Sequence, residues 1–333
     1  MCGENRVGAE VHTPRACLFL ADYGPLQANA LSNTFVRVFA IAQYFPTVVC
    51  ACLPTTLAPT KLNNEGRETM ARPFALITGA SSGIGLALAN ELASRGYDLA
   101  VCSAGERLGS AVAQFRALGS LVVEISADLG TREGIEKLWK EVTSTGRELD
   151  VACINAGVGV GGLFAETELE KELAMVNLNC TGVVQLAKYV VQHMTAKNSG
   201  RILFTASIAG EMVAPREAVY AATKAFDLSL AHSIRYELRD TAVTVTALQP
   251  GPTDTDFFHR AGMDNTKAGS EGKKESSPTE VAKQGIEALL KGKDHVYAAS
   301  MTTKVEGMLA NVVPGSVKGA MHEKMAKPTT AGS

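Results

Sequence analysis

Residues 74–85 of the 333-residue chain read FALITGASSGIG, and this motif is the strongest indication of its fold. A short apolar run, Phe74–Thr78, ends at a turn that carries glycines at positions 79, 83 and 85. An apolar segment with helical spacing, Ile84–Arg95, follows at once. A strand that turns through glycines into a helix is typical of a dinucleotide site, because the free N–H groups at the helix start bind phosphate. The stretch therefore predicts the first unit of a nucleotide-binding sheet.

The same alternation of strand and helix continues along the chain. The candidate strands are Phe74–Thr78, Asp98–Ser103, Leu121–Ser126, Val151–Ile154, Arg201–Thr205, Val243–Leu248 and His295–Ala298. The candidate helices include Ile84–Arg95, Arg132–Val142, Glu170–Val191 and Val219–Arg239. Short apolar strands between longer amphipathic helices predict a parallel sheet that is covered on both faces. We expect one α/β domain with a doubly wound, Rossmann-type parallel sheet of about seven strands.

The domain limits follow from a change in composition near Met70. Residues 1–69 contain five prolines, four of the seven cysteines and little periodicity, so we expect an N-terminal extension that is poorly ordered or serves targeting. The domain is expected at 70–300 and a C-terminal tail at 301–333. A further hypothesis is that Met70 is the natural start.

Charge and cysteine content exclude several classes of function. Lys and Arg number 32 against 34 Asp and Glu, so no nucleic-acid partner is expected. The cysteines lack metal-ligand spacing, which predicts reduced thiols, no metal site and a cytoplasmic protein. The uncharged stretch 38–53 is short for a membrane span and contains Pro46. Organelle targeting or membrane association through the extension stays open as the alternative.

A second motif, VYAATKAF at residues 219–226, places Tyr220 and Lys224 one helical turn apart and therefore on one face. Taken alone, the pair is more often an ordinary helix surface, with Lys224 solvated or paired with Asp227. Other motifs in the chain change this interpretation.

Over residues 72–300 the sequence resembles the short-chain dehydrogenase/reductase family. The matching motifs, in chain order, are TGASSGIG at 78–85, Asp128 in SADLG, Asn155-Ala156-Gly157, Asn179 in LNCTG, Ser207 in FTASIAG, Tyr220-x-x-x-Lys224, and Pro250-Gly251 with Thr253 and Thr255. The resemblance implies an NAD(P)-dependent enzyme that transfers a hydride between nicotinamide and a small carbonyl or alcohol substrate. The alternative function is a dinucleotide-binding sensor or scaffold without turnover.

The resemblance also implies roles for four catalytic residues. Tyr220 would be the general acid and base, Ser207 would orient the carbonyl, and Asn179 would hold a water that relays protons. Lys224 would stabilise the phenolate, because a phenol with a pKa near 10 is a poor proton carrier at neutral pH. An ammonium group about 4 Å away would contribute roughly 4 kcal/mol at an effective dielectric of 20.

The expected cofactor contacts follow the same motifs. They are Gly79, Ser81, Gly83, Ile84, Gly85, Asp128, Asn155, Ala156, Gly157, Tyr220, Lys224, Pro250, Gly251, Thr253 and Thr255. The second strand ends in VCSAGER, with Ser103 and Ala104 where an NAD-selective site carries an acid. Arg107 could reach a 2′-phosphate, and Glu106 is interpreted as a solvated helix start. The sequence therefore predicts NADP(H) over NAD(H).

Two features bear on substrate access and assembly. Residues 253–278 are polar and contain glycine, which together with the resemblance predicts a mobile lid. Phe257 and Phe258 would either line an apolar pocket or anchor the lid to the core. The resemblance implies a homodimer or homotetramer formed through the helices at 170–191 and 219–239.

Overall fold

A seven-stranded parallel sheet, in the order β3-β2-β1-β4-β5-β6-β7, forms the centre of the computed structural model. The structure describes residues 72–267, 276–298 and 314–328, which lie in one compact unit. The strands are β1 Phe74–Thr78, β2 Asp98–Ser103, β3 Val122–Ser126, β4 Val151–Ile154, β5 Gly200–Thr205, β6 Val243–Pro250 and β7 His295–Ala298. The expected extension 1–69, the start at Met70 and residues 301–313 and 329–333 of the expected tail lie outside the described residues.

Helices cover both faces of this sheet, as the strand–helix alternation predicts. They are α1 Gly83–Ser94, α2 Leu108–Ala117, α3 Arg132–Ser144, α4 Leu169–Val176, α5 Val183–Lys197, α6 Ala218–Glu237, α7 Phe257–Arg260, α8 Pro278–Leu290 and α9 Gly315–Ala326. One core packs α3, α5 and α6 against the sheet, and a second packs α1, α2 and α8 against the opposite face. The doubly wound, Rossmann-type fold is therefore confirmed. Among the described helices, none combines the length and the apolarity needed to cross a bilayer.

The order of the strands reverses between β1 and β4, and this reversal places the site. β1 pairs with β2 on one side and with β4 on the other, so the connections leave β1 and β4 in opposite directions. Such a reversal opens a crevice at the carboxyl ends of the strands, where ligands of doubly wound sheets bind. The glycine turn after β1 lies at this edge.

The prediction of one continuous α-helix over residues 170–191 is wrong, because the structure divides this segment into three parts. The structure has α4, then a π-helical segment at Asn177–Gly182, then α5. A Cβ at position 182 would stand 2.2 Å from the carbonyl oxygen of Leu129, so only glycine fits at the end of this segment. The widened turn brings the chain close to the loop after β3, and it contains Asn179.

Candidate active site

The glycine turn after β1 is built so that no side chain obstructs it. Gly79 and Gly83 have φ angles of 70° and 56°, in the left-handed region that favours glycine. A Cβ on Gly85 would stand 2.2 Å from the carbonyl oxygen of Gly79 and 2.5 Å from Nδ2 of Asn155. The turn is therefore a bare backbone cradle at the start of α1, which fits a pyrophosphate group.

Thr78 ties the two strands together at the point where the sheet order reverses. Its Oγ1 accepts hydrogen bonds from the backbone N–H groups of Asn155, at 2.9 Å, and Ala156, at 3.0 Å. Asn155 Nδ2 donates in return to the carbonyl oxygen of Thr78 at 2.9 Å. These bonds hold the Asn-Ala-Gly segment beside the glycine turn.

A cavity of about 370 Å³ opens at this edge of the sheet. Every residue that the sequence analysis assigned to the cofactor lines the cavity, and so does Ser207. Asn179 does not line it. The cavity thus extends along the carboxyl ends of six strands, β1 to β6, and joins the glycine cradle to the Tyr-x-x-x-Lys helix, α6.

Asn179 is fully buried and its side chain is engaged by its neighbours. Nδ2 donates to the carbonyl oxygen of Val158 at 2.9 Å and to Thr223 Oγ1 at 3.0 Å, while Oδ1 accepts from the N–H of Val158 at 3.0 Å. A Cβ on Gly157 would stand 3.2 Å from this Oδ1 and 3.5 Å from Lys224 Nζ. Asn179 therefore fixes the segment after β4 through both atoms of its amide group.

Ser207, Tyr220 and Lys224 come together at one end of the cavity. Ser207 is buried after β5 and accepts a hydrogen bond from the N–H of Ala209 at 3.1 Å. Lys224 Nζ lies 6.0 Å from the centroid of the Tyr220 ring. It donates to the carbonyl oxygen of Thr205 at 2.8 Å and to Asp227 Oδ2 at 3.0 Å.

The charges around Tyr220 differ from the sequence expectation. Burial raises the pKa of Tyr220 above its ordinary value of 10, and Lys224 opposes this increase. Glu217 and Asp227 add negative charge, which further raises the pKa, while Ser207 lowers it. The net direction is upward, because burial, together with the charges of Glu217 and Asp227, outweighs the effects of Lys224 and Ser207.

Lys224 itself stays protonated. Burial lowers its pKa, but Asp227 and Tyr220 more than reverse that effect, so the pKa is raised above 10.5. Burial also raises the pKa of Asp227. We take the ion pair as formed, since its two charged atoms are in hydrogen-bond contact inside the core.

The opposite end of the cavity carries a hydroxyl pair and a cation. Ser81 Oγ and Ser103 Oγ lie 2.8 Å apart, and Ala104 and Arg107 also line this end. Glu106 is exposed and does not line the cavity. Arg107 forms an ion pair with Asp256, from the segment after β6.

Comparison with known proteins agrees with this geometry. Residues 73–266 match the model of the short chain dehydrogenase family. The chain belongs to the short-chain dehydrogenase family. It is therefore an oxidoreductase that depends on NAD(P), and its Tyr-x-x-x-Lys helix faces the cofactor cradle.

Three relatives illustrate the range of this family. The 1-deoxy-11-beta-hydroxypentalenate dehydrogenase of Streptomyces exfoliatus is 34% identical over 230 residues, which cover 68% of this chain and 82% of that protein. A Sphingobium yanoikuyae dehydrogenase solved with NADPH is 25% identical, with a TM-score of 0.65 over 78% of this chain and 98% of that one. A Burkholderia phymatum member solved with NAD shares the fold, at 23% identity and a TM-score of 0.64 over 79% and 98%.

Part of this dehydrogenase's cavity wall was not predicted from the sequence. Four further lining residues, Met212, Glu217, His322 and Met325, lie in the 211–217 loop and in α9. His322 Nε2 and Glu217 Oε2 are 2.9 Å apart. The signal was the spacing of Gly319, His322 and Ala326, which lie on one buried face of α9. The sequence does not show which residues contact each other, so this spacing alone could not show that α9 packs against the domain.

Phe257 and Phe258 take both roles that the sequence left open. The Phe257 ring lies 5.1 Å from the Tyr220 ring, and both phenylalanines line the cavity. They also pack with Ala261, Met263 and Ala326 in a small apolar cluster. This cluster joins the segment after β6 to α9.

Proposed function

We propose that this dehydrogenase is an NADP(H)-dependent carbonyl reductase and alcohol dehydrogenase that uses Tyr220 as its general acid and base. The observation that carries the proposal is one cavity that contains both the glycine cradle and the Ser207, Tyr220 and Lys224 side chains. A nucleotide sensor without turnover would have no need for a buried ammonium group beside a buried phenol. The sensor or scaffold alternative therefore has no observation in its favour.

Each catalytic side chain has a definable task in this proposal. When bound, the nicotinamide donates or accepts the hydride. Tyr220 gives a proton to the carbonyl oxygen of the substrate, and Ser207 donates a hydrogen bond to the same oxygen. Burial raises the pKa of Tyr220, so the phenol holds the proton that carbonyl reduction consumes. Lys224 stabilises the phenolate that forms. Asn179 Oδ1 would hold a water that relays protons through Lys224 to Tyr220.

The preference for NADP(H) over NAD(H) rests on the end of β2. Ser81, Ser103 and Ala104 surround the place where a ribose 2′ group would lie, and none of them carries a negative charge. Arg107 lines the same end, and Arg260 lies 3.5 Å from Ser82 Oγ on the glycine turn. Two guanidinium groups lie at this end. The carboxylate paired with Arg107, that of Asp256, comes from the segment after β6 and not from the tip of β2, so the arrangement favours a phosphate over a free hydroxyl.

The described parts of the predicted lid, residues 253–267 and 276–278, would cover the cavity, while residues 268–275 lie outside the described residues. A Cβ on Gly83 would stand 3.1 Å from Thr255 Cγ2, so the start of the segment lies directly on the glycine turn. The Arg107–Asp256 ion pair connects the same segment to the loop after β2. Cofactor binding would therefore require this segment to move away and return.

We further propose a homodimer or homotetramer in the cytoplasm. Four exposed apolar side chains, Leu169, Leu173, Val184 and Phe226, lie on α4, α5 and α6 and support a contact between copies of the chain. The thiols of Cys102, Cys153 and Cys180 are free, which fits a reducing compartment. Light scattering of the purified chain and fractionation of cells test the two statements; a monomer, or recovery with membranes, would contradict them.

The proposal is tested by fluorescence titration of the full-length protein with NADPH and with NADH, followed by a panel of ketones and aldehydes. We expect saturable binding that is tighter for NADPH, and NADPH consumption with at least one carbonyl. Tighter NADH binding would contradict the cofactor preference. Binding without turnover of any carbonyl or alcohol would favour the sensor.

A further inference from the structure

Glu217 and His322 form a hydrogen-bonded pair in the wall of the cavity. His322 Nε2 and Glu217 Oε2 lie 2.9 Å apart, and the two residues are only 7% and 6% exposed. Glu217 precedes α6 directly and lies three positions before Tyr220, so the two side chains leave neighbouring points of one helical turn. Both members of the pair line the same cavity as Tyr220.

The pair is more than the contact that holds α9 in place. Gly319 already packs closely against Val213, and Lys318 Nζ donates to the carbonyl oxygen of Glu211 at 3.2 Å. Two buried ionisable side chains cost free energy that an apolar pair at the same place would not cost. Arg216, just before Glu217, has a φ of 68°, a left-handed conformation that is unfavourable for a residue with a side chain. Strain of this kind is commonly retained where it positions a functional group.

The pairing fixes which ring nitrogen of His322 the protein itself engages. An ionised carboxylate only accepts hydrogen bonds, so Nε2 carries the hydrogen that points to Glu217. In the neutral imidazole Nδ1 then carries a lone pair. Among the described residues Nδ1 has no hydrogen-bond partner, and His322 lines the cavity. With the imidazole neutral, Nδ1 is an acceptor on a residue that lines the cavity.

The neighbouring wall defines the rest of that molecule. Met212, Phe257, Phe258 and Met325 line the cavity around the pair with apolar surface. A carboxylate on a ligand would be repelled by Glu217, whereas a hydroxyl group could donate a hydrogen bond to Nδ1. The wall fits an apolar skeleton that carries one hydroxyl group away from the reacting carbon.

We propose that His322, oriented by Glu217, is a substrate-binding residue that accepts a hydrogen bond from a hydroxyl group of an otherwise apolar carbonyl substrate. This inference rests on the proposed function and specifies its substrate class as hydroxyketones, with diols as the corresponding alcohols. His322 contributes to specificity, because an analogue without the hydroxyl hydrogen leaves Nδ1 unpaired.

The test uses two carbon skeletons, cyclohexanone and decalone. On each skeleton it compares three ligands, namely the hydroxyketone, its methyl ether and the unsubstituted ketone. Calorimetry gives their dissociation constants for the protein saturated with NADP⁺. On at least one skeleton the hydroxyketone is expected to bind about fivefold more tightly than the other two ligands. His322→Leu should abolish this preference, and Lys318→Ala, which removes another contact of α9, should retain it.

Other outcomes separate the inference from the proposed function. An equal affinity for all three ligands on both skeletons, or a preference that survives in His322→Leu, would overturn the inference. If His322→Leu no longer binds NADPH as the parent does, His322→Phe fills the space better and takes its place. Turnover is measured separately: selective binding that depends on His322, without any turnover, would keep the inference and remove the proposed reaction.

Discussion

Lys224 Nζ lies 3.0 Å from Asp227 Oδ2 inside the domain, where both side chains are more than nine-tenths buried. The second carboxylate oxygen, Oδ1, is buried and has no hydrogen-bond partner among the described residues. The lysine of the Tyr-x-x-x-Lys motif is thus already paired with an acid on its own helix. Through this pair, the negative charge of Asp227 opposes the effect of Lys224 on the pKa of Tyr220.

Replacement of Asp227 by asparagine should shift the pH dependence of alcohol oxidation to lower pH. Oxidation requires the Tyr220 phenolate, and the Asp227 charge raises the pKa of Tyr220. Removing that charge lowers the pKa, so the phenolate forms at lower pH. The measurement is kcat/KM for oxidation across neutral and alkaline pH, with the exposed Asp240→Asn as the matched control. An unchanged profile, or a shift to higher pH, would contradict the prediction.

Asp256→Asn should strengthen the binding of NADPH without affecting NADH. Arg107 pairs with Asp256, and both side chains are more than half exposed, so the pair contributes little free energy of its own. When the ion pair is lost, the guanidinium group of Arg107 is free to bind the 2′-phosphate of NADPH. We expect an affinity gain of about two- to fivefold in fluorescence titration, corresponding to less than about 1 kcal/mol. Asp254→Asn, two residues earlier, should have no such effect. An equal gain for NADH would show that the 2′-phosphate is not involved.

Gly85→Ala should remove cofactor binding and destabilise the fold, whereas Gly105→Ala should do neither. A Cβ at position 85 meets backbone at 2.2 Å, and no atom lies within 4 Å of a Cβ at position 105. Overpacking against backbone costs about 1 to 3 kcal/mol or more in the free energy of unfolding. Urea unfolding and NADPH titration of the two variants provide the measurements. Normal cofactor binding in Gly85→Ala would show that the turn is not the cradle described above.

Local patterns were sufficient to predict most of the fold. β1 and β4 have the predicted bounds, because each is a continuous apolar run buried on both faces. The glycines at 79, 83 and 85 were also predictable, since their roles depend on neighbours in the same turn. The cavity then brings together the motif residues as expected, apart from Asn179.

Long-range contacts account for what the sequence did not reveal. The π-helical segment places Gly182 against the carbonyl oxygen of Leu129, a long-range contact that periodicity within one helix cannot show. The Glu217–His322 pair joins residues 105 positions apart. The raised pKa of Tyr220 needs its burial and the position of Asp227, neither of which the Tyr-x-x-x-Lys spacing specifies.

The most direct test of the central claim is the turnover of Tyr220→Phe compared with the parent, at matched saturation with NADPH. We expect Tyr220→Phe to bind NADPH within about twofold of the parent, because the substitution removes a single hydroxyl group from the cavity wall. Carbonyl reduction should fall by about two to four orders of magnitude through loss of the proton donor. Turnover close to that of the parent, with binding intact, would contradict the assignment of Tyr220 as the general acid and base.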